Sequence, residues 1–247
     1  MFMQSVFSAV FCSFFFATMA ELFDNAAFAQ NNTKYSPLSI GAGYGVTVAS
    51  AGEQTITASS AGNLNLNYNS SPFTSMSLES QFGNLSGGNA FKDASFKQFT
   101  NQYFALMVHA DLQAGEIVDH DENGFVNAFR NFYVGTGAGF VANNIVSLNK
   151  NVSGATSNYK LSSINFTVPF RGGYEFKLYN KTGVPHIKID ISYEYVTVFG
   201  QGLDGYIDAS RASVPKFYNY ISAGIKIGFG KARSYSPDAV DSPTTTQ

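Results

Sequence analysis

The segment Asp119-His120-Asp121-Glu122-Asn123-Gly124 reads D-x-D-x-N-G, the first half of a calcium loop. In such a loop, alternating side-chain oxygens reach one cation just before a glycine turn. The twelfth position should supply a bidentate Glu, and here it is Arg130. Asp119, Asp121 and Asn123 therefore stand as candidate metal ligands only. The preferred reading is an acidic turn leading into a short amphipathic helix that carries Phe125, Val126 and Phe129. The other residues able to do acid–base chemistry are His109, His120 and His186, together with a set of carboxylates, lysines and one arginine spread along alternating segments. What any of them does depends on the elements that hold them.

Those elements alternate with a period of two, the signature of strands with one apolar and one polar face. The clearest case is Leu161–Phe199. Its first run sets Ile164, Phe166, Val168, Phe170, Tyr174 and Phe176 against Asn165, Thr167, Arg171, Glu175 and Lys177. After Tyr179-Asn180-Lys181-Thr182-Gly183, a second run sets Ile187, Ile189, Ile191, Tyr193 and Tyr195 against Lys188, Asp190, Ser192 and Glu194. Both runs exceed the usual five or six residues of a soluble strand, and a tilted membrane-spanning strand needs about 9–11. The same pattern recurs from Leu38, Asn63, Ser75, Tyr103, Phe132 and Tyr220, so eight strands are predicted. Long connections are expected at Ala51–Ser60, Gly83–Lys97, Asn143–Tyr159 and Gly200–Lys216, after the odd-numbered strands. Short turns mostly follow the even ones. An outer-membrane barrel shows this asymmetry, with long external loops and short periplasmic turns. Pro169 lacks the N–H a closed ladder needs, so one missing bond or a small distortion is expected there.

Volume decides which face is inside. A lumen of eight strands is only just wide enough to be filled by side chains. The polar faces collect the small residues, among them Gly41, Gly43, Gly45, Gly135, Gly137 and Gly139, whereas the apolar faces hold large side chains at nearly every position. The apolar face therefore points to lipid. The predicted fold is all-β, an eight-stranded antiparallel up-and-down transmembrane barrel with a polar, charged, filled interior. A soluble barrel with an apolar, ligand-lined interior is the rival fold. The predicted interior network is Glu79, His109, Asp111, Arg171, Glu175, Lys177, Lys188, Asp190, Glu194 and Lys226, whose signs nearly balance and which must pair to be buried. Aromatic residues at strand ends should mark the two interfaces: Tyr68, Phe73, Phe132, Phe176, Tyr179 and Phe229 at one, Phe82, Phe99, Phe140, Tyr195, Phe199 and Phe217 at the other.

The whole chain has 247 residues, only 13% of them charged against 45% hydrophobic, and a mean hydropathy near zero at −0.04. Apolar residues are thus dispersed by alternation. Residues 1–29 read as a signal peptide, with an apolar Val6–Ala20 and an Ala27-Phe28-Ala29 cleavage site, although Met1–Gln4 carries no basic residue. A retained anchor is the alternative. The single cysteine, Cys12, lies in this segment, so no disulfide is expected. Taking Glu21 and Asp24 from the 17 acidic residues leaves 15 acids against 15 bases, which argues against nucleic acid as a partner. Residues 30–230 form the expected barrel and 231–247 a disordered periplasmic tail rich in Ser, Pro and Thr.

The signal, the eight alternating strands, the Gly-rich inward faces and the charged core resemble small outer-membrane β-barrel proteins of the OmpA transmembrane-domain and OmpX type. The Leu161–Phe199 hairpin and Phe132–Phe140 are similar to barrel domains of Bacteroidota-type bacteria. The resemblance covers about Leu38–Gly230, and the eighth strand departs from it by ending well before Gln247. It implies a monomer in the cell outer membrane, with lipid as its main partner and no cofactor. Outer-membrane enzymes of this size, such as lipid A deacylases, need a Ser–His–acid group near the outer leaflet. His109, His120 and His186 are all expected near the periplasmic end, so the reading is non-enzymatic: a structural or surface-interaction barrel, with a narrow channel or a lipid-modifying enzyme as alternatives. A surface ligand would meet the long loops, where Lys150, Asp204, Tyr206, Asp208 and Arg211 lie.

Overall fold

A computed structural model describes residues 33–50, 55–93, 96–117, 129–150, 159–207 and 214–235. The expected signal peptide and the candidate ligands Asp119, Asp121 and Asn123 lie outside the described residues. So do Asp208, Arg211 and the tail from 236.

The eight predicted strands are β2 (Leu38–Ser50), β3 (Ile56–Asn69), β4 (Thr74–Gly88), β5 (Gln98–Gln113), β6 (Phe132–Leu148), β7 (Ser162–Tyr179), β8 (Pro185–Phe199) and β9 (Lys216–Phe229). Each pairs antiparallel with its sequence neighbours, and β2 closes on β9 from Leu38↔Phe229 to Ser50↔Phe217. The result is a closed up-and-down barrel. Closure follows from the surroundings: lipid offers no hydrogen bonds, so each unpaired backbone group there would cost several kcal/mol.

At 13 to 18 residues, the strands outrun the alternating cores that define them. The excess is mostly at the far end from the termini. There, parts of the expected long loops continue the ladder: β3 takes in Ile56–Ser60, β4 runs to Gly88 and β6 to Leu148. These stretches carry Ser, Thr, Asn and Gly, which resemble loop residues in composition, yet neighbouring strands hold them in the ladder, across register shifts between Thr57 and Ala61 and between Thr100 and Asn101.

Burial confirms the assignment of faces. Ile40, Leu64, Leu78, Leu106, Phe170, Ile189 and Ile225 are exposed on the outer wall, and Asn65, Glu79, His109, Arg171, Asp190 and Lys226 are buried within. An outer wall so apolar, over a buried polar lumen, is that of a membrane-spanning barrel of the outer-membrane type. The short turns at Ser70–Phe73 and Asn180–Val184 lie at the same end as Leu38 and Phe229, which marks that end as periplasmic.

The lumen has two zones. Charged residues occupy its periplasmic half. Toward the external end, Leu85, Phe99, Tyr103, Val141, Val196, Val198, Leu203 and Tyr218 form a buried apolar cluster. Phe99 therefore does not join the external aromatic ring: it shares parity with Asn101, Tyr103 and Met107, and the strand continues far enough past the bilayer to turn it inward. Phe73 also departs from its ring. It folds under the periplasmic end, against Gly115 and with its ring 4.8 Å from Lys177 Nζ.

Pro169 behaves as expected. The β6–β7 ladder is interrupted between Thr136↔Phe170 and Gly139↔Thr167 and resumes in the same register. The Thr136 hydroxyl donates to the Pro169 carbonyl at 2.9 Å and bridges the gap.

Beneath the barrel, β1 (Thr33–Tyr35) pairs with β10 (Arg233–Tyr235). The tail expected to be disordered from Lys231 thus begins with an ordered strand. Tyr235 donates to Glu116 Oε1 at 2.8 Å, Ser71 Oγ donates to the same carboxylate, and Tyr35 donates to the Ser70 carbonyl at 2.8 Å. Tyr235 and Tyr35 thereby tie β10 and β1 to the barrel rim, where Ser71 and Glu116 bond each other.

Narrowness makes one inward glycine a sharp test. A Cβ on Gly137 would lie 1.9 Å from the Val108 carbonyl oxygen. Gly137→Leu is expected to destabilise the barrel by about 1–3 kcal/mol or more, and so to reduce or abolish the heat-shifted band in SDS gel mobility. Ala138→Leu, one residue along and facing lipid, should leave that band intact.

Candidate functional site

The alternation that exposes Phe170 and Phe176 on β7 aims Arg171 and Glu175 inward, where they meet charges from four other strands. Arg171 is the upper hub. Its Nη1 donates to Glu79 Oε2 at 3.2 Å, its Nη2 to the Tyr133 hydroxyl at 3.1 Å, and its Nε lies 3.6 Å from Asp111 Oδ1. Glu175 is the lower hub: Lys226 Nζ approaches one oxygen at 2.7 Å and Lys188 Nζ the other at 3.3 Å. Lys226 also lies 3.3 Å from Asp190 Oδ1, and Tyr133 donates to Asp190 Oδ2 at 3.3 Å. Tyr133 therefore bridges the two hubs, with its ring 5.4 Å from the Arg171 guanidinium and 5.6 Å from Lys226 Nζ.

Lys177 takes part at the edge of this network rather than in an ion pair. It donates to Gln113 Oε1 at 2.6 Å and to the Pro72 carbonyl at 2.9 Å, while Gln113 Nε2 donates to Glu175 Oε2 at 2.7 Å. Glu194 reaches the upper hub through an amide: Gln81 Nε2 donates to Glu194 Oε2 at 3.1 Å and to Glu79 Oε1 at 2.8 Å. The Gln81 carbonyl oxygen in turn accepts from Tyr218 at 3.1 Å and Tyr103 at 3.4 Å. That links the charged zone to the apolar cluster above. His109 sits among these groups, 1% exposed, with neither ring nitrogen hydrogen-bonded.

Glu79, His109, Asp111, Arg171, Glu175, Lys188, Asp190, Glu194 and Lys226 are buried in the lumen, Lys177 is half-buried at its edge, and uncharged residues link them: Tyr133, Gln81, Gln113, Tyr103 and Tyr218. Strand parity placed Tyr133, Gln81 and Tyr103 on the polar faces as well, whereas Gln113 read as the start of a connector. Their bridging role had no signal in sequence, because it depends on which strands lie opposite across the barrel.

The external mouth is stopped. Segment Gly200–Tyr206 turns into it, with Leu203 fully buried and its carbonyl accepting from Asn101 Nδ2 at 2.9 Å. Asp204 and Tyr206, expected to be available to a surface ligand, are 1% and 2% exposed. The reason is local pairing: Lys216 Nζ bonds Asp204, and the Tyr206 hydroxyl donates to the Asn149 carbonyl at 2.7 Å. Lys150 does remain exposed on the rim, as does Phe91 at 93%. His186 lies exposed near the periplasmic turn. Among the described residues, no histidine on the external rim accompanies a serine and an acid.

No family model and no curated protein matches the chain. Among solved structures, Neisserial surface protein A is similar at 14% identity and a TM-score of 0.43, covering 78% of this chain and 98% of its own. The attachment invasion locus protein Ail of Yersinia pestis, in complex with the heparin analogue sucrose octasulfate, is similar at 14% identity and 0.42, covering 80% of this chain and 100% of its own. The outer membrane protein OprG of Pseudomonas aeruginosa is similar at 12% identity and 0.40, covering 80% and 99%.

Proposed function

We propose that this chain is a non-conducting, non-enzymatic outer-membrane barrel whose role is structural or made through its external loops. The observation that carries the reading is the filled lumen. Paired charges occupy its periplasmic half, an apolar cluster its external half, and Gly200–Tyr206 its mouth. Ions would have to break Arg171 and Lys226 from their carboxylates to pass. A surface partner would meet what the rim leaves exposed, Phe91, Lys92, Lys150 and Lys160, rather than the buried Asp204 and Tyr206.

Planar-bilayer recording of the pure protein at neutral pH should show no sustained unitary currents; such currents would overturn the plugged lumen. Incubation with labelled lipopolysaccharide should release no fatty acid, and acyl release would establish an enzyme. Replacing Arg171 by Met leaves Glu79 and Asp111 without their cation. The expected loss is about 3–5 kcal/mol of stability, seen as a lower urea midpoint for the folded band in micelles. An unchanged midpoint would show that the hub is not needed.

A further inference from the structure

We propose that Glu79, His109 and Glu194 form a binding site for one divalent transition-metal ion of the zinc type inside the barrel. The three residues come from β4, β5 and β8, and their ligand atoms all lie within 4.8 Å of one another. An imidazole nitrogen with two carboxylate oxygens is a donor set such ions accept, leaving further positions open for water.

Two of these three residues carry buried polar atoms with no hydrogen-bond partner. His109 is 1% exposed, yet neither Nδ1 nor Nε2 has a hydrogen-bond partner, and Glu194 Oε1, 3% exposed, has none either. Leaving such buried groups unpaired costs about 1–3 kcal/mol each. The other carboxylates of the network have cations: Glu175 has two lysines, Asp190 has Lys226, and Arg171 serves both Glu79 and Asp111. Glu194 alone among the interior carboxylates makes no ion pair among the described residues. Its one interior link is the amide of Gln81, which also holds Glu79 and so fixes the two carboxylates side by side. A cation between them and His109 would satisfy all three.

Zinc bonds of about 2.0–2.2 Å set ligand atoms about 3.5 Å apart, so binding draws this cluster together by about 1 Å. Glu79 keeps one oxygen for Arg171 at 3.2 Å, which leaves it a one-oxygen ligand. Because all three residues are buried, the ion would enter as the barrel closes rather than through the finished lumen.

The test refolds the full chain into micelles with and without zinc chloride, removes free metal by dialysis and measures zinc per folded barrel by mass spectrometry. About one zinc per barrel is expected when the metal is present during refolding, and far less when it is added afterwards. Glu194→Gln, which keeps shape and hydrogen-bonding capacity, should reduce retention at least tenfold, as should His109→Ala. The Asp119→Asn/Asp121→Asn double variant should retain zinc as wild type does, which separates this site from the acidic connector. Heat-dependent gel mobility shows that each variant has folded. If His109→Ala does not fold, Glu194→Gln and the absorption spectrum of a cobalt-loaded barrel decide. No zinc in folded wild type, or equal retention in folded Glu194→Gln, would overturn the site and leave a buried water or proton in its place.

Discussion

Backbone hydrogen bonding in lipid is the constraint from which the rest of this structure follows. With no water to satisfy an open edge, β2 must close on β9. Eight strands then enclose a lumen only side chains can fill. A narrow lumen in turn demands glycine where strands crowd, as at Gly137, and favours inward charges that have counter-charges within a short distance. Arg171 with Glu79 and Asp111, and Glu175 with Lys188 and Lys226, are such charges, drawn from five different strands.

Such a core holds the barrel by cross-lumen ties as well as by neighbouring ladders. Sheet pairing joins each strand only to the next one, whereas Arg171 on β7 reaches Glu79 on β4, and Tyr218 on β9 reaches Gln81 on the same strand. Buried ion pairs do not by themselves guarantee stability, since desolvation offsets much of the Coulomb attraction. Removing one partner would, however, strand the other charge in a closed space. The ends are secured by different means. An apolar cluster and an inward loop stop the external mouth, and a two-stranded bracket of β1 and β10 lies beneath the periplasmic rim.

Alternation along the chain was enough to determine the strand number, the antiparallel meander, the lipid-facing wall and the polar, charged character of the inner face, because a period of two states the facing of each side chain directly. Even Phe99 obeyed it; its parity with Tyr103 and Met107 pointed inward, although its place near a strand end suggested an interface. Only the tertiary structure decided where the strands stop, since Ile56–Ser60 and Gly83–Gly88 have loop-like composition and are held in the ladder by neighbours. It alone decided that Leu203 and Tyr206 plug the mouth, that Arg233–Tyr235 is a strand, and that Glu194 faces His109 and Glu79. Those facts depend on distances across the barrel between residues far apart in the chain, and no local pattern carries that information.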